Sequence, residues 1–334
     1  MTKEFSPALE EAISKLPDAE KKEALALVEK LASIKQGKKL EGFEPYGWQK
    51  AFYDAGRDSA ERMLMAANRV GKTLCAAMEV AFHLTGEYPE WWEGKRFERP
   101  ILLWTGSPTN ETSRDIVQAE LLGGLGEKLG TGSIPKSLII GTPTTRQAGV
   151  KGVVDMFQVR HIRGTSTAIL KTYEQGWQKW QGTAPHVVWL DEEPEDYKIF
   201  SEAQTRVLTS NGIVLVTFTP LHGITELVEH FRKGGPGIYL RGATWNDAPH
   251  LDEEAKTRLA ASYRDHERAA RSEGIPMMGE GAIFPVSDAD ITIKPFEIPA
   301  HFARLKGCDF GFNHPAAGAE IAIDRDQDII YVID

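Results

Sequence analysis

Residues 66–73 read Ala-Ala-Asn-Arg-Val-Gly-Lys-Thr, and residues 187–193 read Val-Val-Trp-Leu-Asp-Glu-Glu. The first follows a short apolar run, Met63-Leu64-Met65, and opens onto a helix-prone segment, 74–84. A glycine-lysine-threonine turn between a strand and a helix matches G-x-x-x-x-G-K-[ST], with Ala66 in place of the leading glycine. Alanine is the smallest substitute, and the backbone at that point need not take positive φ. Such a turn aims backbone N–H groups and a helix N-terminus at phosphate. Lys72 then supplies a point charge for the outer phosphates, and Thr73 a hydroxyl for magnesium. Ala66, Ala67, Asn68, Arg69, Val70, Gly71, Lys72 and Thr73 are the expected phosphate contacts. The second stretch is a buried-strand pattern ending in acid. Asp191 is expected to hold the magnesium, directly or through water, and Glu192 to orient and deprotonate a water. Each motif recurs by chance alone. In this order, each in its own strand context, they predict hydrolysis of a nucleoside triphosphate.

Strand-like runs at 62–66, 101–105, 187–190, 212–218 and 238–241 alternate with helical patterns at 73–85, 110–122, 197–208 and 223–233. Alternation of this kind predicts an α/β fold, a mostly parallel sheet with helices on both faces. Runs at 138–140, 153–160 and 166–171 are expected to form an antiparallel annex, and 123–135 and 234–237 exposed loops. Residues 251–272 read as two short helices, and 274–300 as an irregular linker. Residues 7–36 read as an appended helical arm divided at Pro17-Asp18. From residue 303 the pattern becomes short alternating strands, 303–310, 317–323 and 328–333. Three strands make no independent core, so the sequence is expected to stop inside a second domain. The expected division is 1–42 arm, 43–250 nucleotide-hydrolysing core, 251–302 helical subdomain and linker, and 303–334 the start of a second domain.

The chain has 334 residues with 41% hydrophobic and 26% charged side chains, ordinary for a soluble globular protein. Its net charge of −9 gives no whole-chain footprint for nucleic acid, so any such site is a local basic patch. The two cysteines, Cys75 and Cys308, read as small core residues in a reducing compartment. No stretch approaches the length of about 18 apolar residues that a membrane span needs. The N-terminus lacks the layout of a signal peptide, so a cytoplasmic protein is expected.

Smaller signals carry alternatives. Gln49, in Tyr46-Gly47-Trp48-Gln49, offers an amide donor and acceptor that match an adenine edge, with Tyr46 or Trp48 to stack on the ring. The same aromatics also suit packing of the arm onto the sheet. The strand ending Thr217-Phe218-Thr219-Pro220 places hydroxyls where such hydrolases sense a terminal phosphate; alone it is a strand stop. Arg264, Arg268 and Arg271 share one helical face, either solvated or facing DNA or another subunit. No histidine shows zinc-ligand spacing.

Together these residues resemble the large terminase subunit of tailed double-stranded-DNA bacteriophages. The carrying stretches are Tyr46 to Gln49, Ala66 to Thr73, Trp189-Leu190-Asp191-Glu192-Glu193-Pro194, Thr217 to Pro220, and Gly307-Cys308-Asp309-Phe310-Gly311-Phe312-Asn313-His314-Pro315. The resemblance implies an additional-strand, catalytic-glutamate P-loop ATPase with Glu192 as general base and Thr217 and Thr219 coupling hydrolysis to movement. It implies a C-terminal nuclease of RNase H-like fold, with Asp309 among several carboxylates binding magnesium or manganese. ATP and Mg2+ are the implied cofactors. Double-stranded DNA, a terminase small subunit, a portal protein and further copies of the chain in a ring are the implied partners, inside an infected host cell. Two departures stand out. Many relatives carry arginine where this chain has Asn68, with Arg69 next. Many also carry Arg-Gly, a trans-acting finger, where this chain reads Gln181-Gly182; Lys179, Arg146 and Arg163 are the candidates here. A helicase-type or other P-loop translocase is the competing reading. A GTPase switch lacks support, because no Asn-Lys-x-Asp motif is present.

Overall fold

The computed structural model describes residues 39–147, 149–276, 291–310 and 317–333, with isolated positions between 13 and 24. The expected arm over 7–36 otherwise lies outside the described residues, as does much of 274–300. The chain divides into two compact units, Met1–Pro285 and Val286–Asp334.

The first unit is built on eight strands: β1 (Glu61–Ala66), β2 (Leu102–Ser107), β3 (Ile139–Thr145), β4 (Val154–His161), β5 (Gly164–Thr172), β6 (Val187–Asp191), β7 (Ile213–Phe218) and β8 (Ile238–Ala243). Their order is β3-β4-β5-β2-β6-β7-β1-β8. From β5 to β8 every neighbouring pair is parallel; β3, β4 and β5 pair antiparallel among themselves. The expected antiparallel annex is therefore β3 and β4 alone. β5 belongs to both systems, antiparallel to β4 and parallel to β2. β7 lies between the strand that leads into the phosphate loop and the strand that ends in acid, which is the additional-strand arrangement.

Strand parity sets the core. A sheet covered on both faces demands apolar residues on both sides of each strand. In β7, Ile213 and Leu215 face one layer, while Val214, Val216 and Phe218 face the other. β6 divides the same way, Val187 and Trp189 against Val188 and Leu190. The first layer is closed by helices α1 (Gly47–Asp54) and α2 (Lys72–Thr85). The second is closed by α3 (Tyr197–Leu208) and α4 (Glu226–Lys233). By the same period of two, Asp191 and Thr217 fall on the α2 face, and the β6–β7 register sets them side by side. Helices α5 (Glu253–Ser262) and α6 (Asp265–Glu273) follow β8.

Part of the expected loop 123–135 is core. Ser133 and Ile134 are fully buried, their N–H groups donating to the Glu120 and Leu121 carbonyls at 2.7 and 2.9 Å. A run read as exposed from its glycines is drawn in by those backbone bonds. α1 had no helical signal strong enough to stand apart from its aromatic cluster. Its start is tied by the Gln49 side chain, whose Oε1 accepts from the Tyr46 N–H at 2.9 Å.

The second unit holds an antiparallel sheet ordered β11-β10-β9: β9 (Ala303–Asp309), β10 (Ala317–Asp324) and β11 (Ile329–Val332). Cys75 is buried, as expected of a core thiol; Cys308 is exposed on β9 and is not a core residue. Among the described residues, no helix is long and apolar enough to cross a membrane.

Candidate nucleotide site

The site forms where the C-terminal ends of β1, β6 and β7 meet the start of α2, the edge at which open parallel sheets bind ligands. β1 ends at Ala66 and α2 begins at Lys72. The turn between them needs two left-handed residues, Arg69 at φ 65° and Gly71 at φ 97°. Glycine takes that region without steric cost, and here it directs α2 onto the loop. The remainder of the loop is tied down from outside. The Ala67 N–H donates to the Ala243 carbonyl at 2.9 Å, and the Asn68 N–H to the Arg271 carbonyl at 2.8 Å. The Trp245 indole donates to the Asn68 carbonyl at 2.9 Å, and His250 Nε2 lies 2.8 Å from the Arg69 carbonyl. Gln49 Nε2 lies 3.4 Å from the Gly71 carbonyl. A loop held by its carbonyls and outer N–H groups keeps its shape before any phosphate arrives, which lowers the ordering cost of binding.

Lys72 is nearly buried, and its ammonium donates to Thr219 Oγ1 at 2.8 Å. The Thr219 hydroxyl, with one proton, faces Asn68 Oδ1 at 2.8 Å and the Ala66 carbonyl at 3.1 Å. Thr219 thus joins the strand after the acids to the phosphate loop. Asn68 Oδ1 is the shorter-range acceptor in that junction. Val70 is buried, while Arg69 is exposed.

Asp191 is buried, with Oδ1 accepting from the Thr217 hydroxyl at 2.7 Å and lying 3.4 Å from the Thr73 hydroxyl. The Trp189 indole N–H donates to Thr217 Oγ1 at 2.9 Å, so the single Thr217 proton is left for Asp191. Burial, and then the neighbouring Glu192 carboxylate, push Asp191 up to about 7. A threonine hydroxyl beside a carboxylate is a hard-oxygen donor pair, the chemistry magnesium prefers when it keeps most of its waters. No group of three or more His, Cys, Asp or Glu able to hold a metal occurs among the described residues.

Glu192 leaves the strand in a left-handed conformation, φ 62°, while its N–H donates to the Thr217 carbonyl at 2.8 Å. Burial raises its carboxyl, against the opposing Lys72 charge. Glu193 is also raised by burial and accepts a bond from the Thr225 hydroxyl, the N-cap of α4. A cleft of about 490 Å³ opens here, with Glu192, Thr219, His222 and Tyr173 in its wall. The Tyr173 hydroxyl lies 3.1 Å from the Asp191 carbonyl and 2.8 Å from that of Glu192.

Lys72, Thr73, Asp191, Glu192, Thr217 and Thr219 are brought to one place. Other expected residues are not. Trp48 is buried and its indole donates to the Asp247 carbonyl at 3.1 Å, which removes it from base stacking. Tyr46 instead lies parallel to the His250 ring, centroids 6.0 Å apart. Of the finger candidates, Arg146 is held by Asp155, the Asn110 side chain and the Leu170 carbonyl. Arg163 pairs with Glu98 at 3.5 Å, and Lys179 is exposed. On the arginine face of α6, Arg271 pairs with Glu267 at 2.8 Å and lies over the Tyr263 ring. Asp309 is in the second unit. Tyr173, Trp245 and His250 were not signalled by the sequence, because each meets its partner across a long chain separation.

A family model described as terminase large subunit, T4likevirus-type, N-terminal, matches residues 63–291. The terminase large subunit of Salmonella phage P22 is 39% identical over 345 residues, covering 97% of this chain and 68% of that protein. That of Enterobacteria phage LP7 is 30% identical over 352 residues, covering 97% and 71%. The fold is similar to the large terminase ATPase domain of Thermus phage P74-26, with TM-score 0.51, 18% identity, and coverage of 70% of this chain and 95% of that one. It is also similar to the large terminase of a thermophilic bacteriophage, with TM-score 0.53, 15% identity, and coverage of 87% and 69%. The family model spans more than half of the chain and meets the same loop, acids and additional strand just described, so the chain belongs to the terminase large subunit family.

Proposed function

We propose that this chain is the ATP-hydrolysing motor subunit that moves double-stranded DNA into a viral procapsid. The observation that carries the reading is the linkage of Lys72 to Thr219 and of Asp191 to Thr217 at the end of an additional-strand sheet, beside a cleft walled by Glu192 and Thr219. ATP phosphates would lie along 66–73, with Gln49 at the edge of the loop. An arriving terminal phosphate competes with Thr219 Oγ1 for the Lys72 ammonium. Thr219 is then free to change its bond to Asn68, and Thr217 and Thr219 relay the state of the site along β7. Glu192, held up by burial, is suited to take a proton from the attacking water. Thr73 and Asp191 would hold magnesium, which when bound neutralises phosphate charge and fixes the phosphate oxygens. The large terminase of the same thermophilic bacteriophage has been solved with ADP, which supports a nucleotide in the same fold.

The wider reading rests on family membership: a terminase small subunit, a portal protein and a ring of copies as partners, and a metal-dependent nuclease that includes Asp309. We assign the arm to 1–42, the ATPase core to 43–250, the helical subdomain and linker to 251–302, and the nuclease portion to 303–334. The test is ATP turnover with and without linear duplex DNA. Lys72→Ala is expected to abolish turnover without unfolding the protein. Glu192→Gln is expected to keep ATP binding and to lose about 10²–10⁴ in rate. Wild-type turnover in a folded Lys72→Ala variant would reject the site.

A further inference from the structure

We infer that Tyr173 is a positioning residue for Glu192, its phenol hydroxyl fixing the backbone from which the proposed general base projects. The inference rests on the hydrolase reading above and adds to it a residue whose hydroxyl is turned to the backbone of the two acids.

Glu192 occupies a left-handed conformation, φ 62°, that residues bearing a Cβ avoid. Such a conformation persists only where its surroundings over-determine it. On one side the strand ladder does so, through the Glu192 N–H bonded to the Thr217 carbonyl at 2.8 Å. On the other side the β2–β6 ladder stops at Gly106 and Leu190. The next two carbonyls, those of Asp191 and Glu192, are met by the Tyr173 hydroxyl at 3.1 and 2.8 Å. The Asp191 carbonyl belongs to the peptide before the Glu192 Cα, and the Glu192 carbonyl to the peptide after it. The hydroxyl has one proton, which it shares between the two carbonyls with the shorter contact to Glu192, so it restrains the peptide planes on either side of the Glu192 Cα and with them the direction of its Cα–Cβ bond.

The ring is placed as firmly as the hydroxyl. Tyr173 follows the last rung of the β2–β5 ladder, Ser107 with Thr172. From there it reaches across β2 to the end of β6. It crosses above Gly106, where a Cβ would lie 2.6 Å from Tyr173 Cε1 and 2.7 Å from Trp180 Cη2. Glycine is needed at that position for the close approach. The fully buried Trp180 backs the phenol, centroids 6.2 Å apart. Burial, with the charges of Asp191, Glu192 and Glu193, raises the phenol well above its ordinary range, so it remains a donor.

Tyr173→Phe keeps the ring and removes the hydroxyl, so the packing over Gly106 is retained. The expected result is a fall in kcat of about tenfold, the scale of one lost hydrogen bond at the base. KM and the affinity for a non-hydrolysable ATP analogue should stay within about twofold, with Tm lowered by only about 2–6 °C. In the Glu192→Gln background, single-turnover rates should show no further loss, because residues acting through one group are not additive. Equal losses in both backgrounds, a rise in KM, or wild-type turnover in Tyr173→Phe would overturn the inference while leaving the hydrolase reading intact. Absence of ATP turnover in the wild-type chain, or turnover indifferent to Lys72→Ala, would remove both.

Discussion

Asp191 has the environment that most constrains how the site responds to pH. With its carboxyl pushed up to about 7 by burial and by Glu192, it is largely protonated in mildly acidic solution. A protonated carboxyl is a poor magnesium ligand, and metal binding must release that proton. Magnesium-dependent binding of a non-hydrolysable ATP analogue should therefore strengthen by about tenfold per pH unit up to about pH 7, then level off. Calorimetry across this range checks it, and Asp191→Asn should flatten the curve. The stability effect has the opposite sense. The folded value lies above the unfolded one of about 3.9, so the folded chain binds the extra proton between the two. That contribution is complete below the unfolded value and is lost as pH rises through about 7. In metal-free protein, Tm should decline over this window, and Asp191→Asn should lessen the decline. A steeper decline in the variant would contradict the assignment.

At the scale of elements, β1 and α2 carry the phosphate loop between them, and a buried ion pair clasps them beneath it. The Arg62 guanidinium on β1 bonds Glu79 on α2, both fully buried, and donates to the Phe52 carbonyl of α1 at 2.7 Å. His83 Nε2 lies 3.3 Å from Glu79 and Nδ1 2.9 Å from the Tyr88 hydroxyl. Burial alone raises the Glu79 carboxyl, but the Arg62 charge and the His83 bond outweigh it and leave it below its ordinary value. Glu79→Gln would strand the Arg62 charge, at a cost of about 3–5 kcal/mol. The double change Arg62→Met with Glu79→Leu, which removes both charges, should lie closer to wild type. Denaturant unfolding of the three proteins checks the order, and a double variant less stable than Glu79→Gln would refute it. This clasp was invisible in the sequence, where Arg62 reads as a charge at a strand start and Glu79 as one acid in a helix. Helix α3, by contrast, has the predicted bounds, with Asp196 capping it through the Lys198 N–H at 3.0 Å. The difference is one of range. Caps, strand runs and the 66–73 loop are local in the chain, and so Lys72, Thr73, Asp191, Glu192, Thr217 and Thr219 were legible. β5 was legible as a strand but not as a partner of β2, because period-two alternation does not name the neighbour. Tyr173, Trp245 and His250 act only through tertiary contact, and nothing in their immediate sequence sets them apart.

For the whole molecule, the two units make different demands on the sequence. The first has a complete two-faced core around its eight-stranded sheet, and its chemistry lies at one edge of that sheet. The second has three strands among the described residues, and its proposed chemistry turns on ligand count. Two-metal phosphodiester cleavage needs several carboxylates around ions roughly 3.5–4 Å apart. On β9, Asp309 pairs with Ala317 of β10, and the register runs without a break to Ile323. Residues an odd number of steps from Ala317 point to the other face, so Glu320 and Asp324 lie opposite to Asp309. Glu320 is paired there with Lys306 at 2.9 Å. Asp324 Oδ1 accepts the Asp326 and Gln327 N–H groups at 2.9 and 3.2 Å, the turn chemistry expected of an aspartate before a hairpin. Asp326 and Asp328 belong to that same turn. Among the described residues, Asp309 thus has no carboxylate companion on its own face of the sheet. The chain spans 68% of the length of its P22 relative. This 334-residue chain should therefore leave supercoiled plasmid intact with magnesium or manganese, and Asp309→Ala should change neither that result nor ATP turnover. The assay is plasmid digestion beside an ATPase measurement on the same preparation. Metal-dependent cutting that disappears with Asp309→Ala would show that the site is complete within this chain and that the count of ligands is wrong.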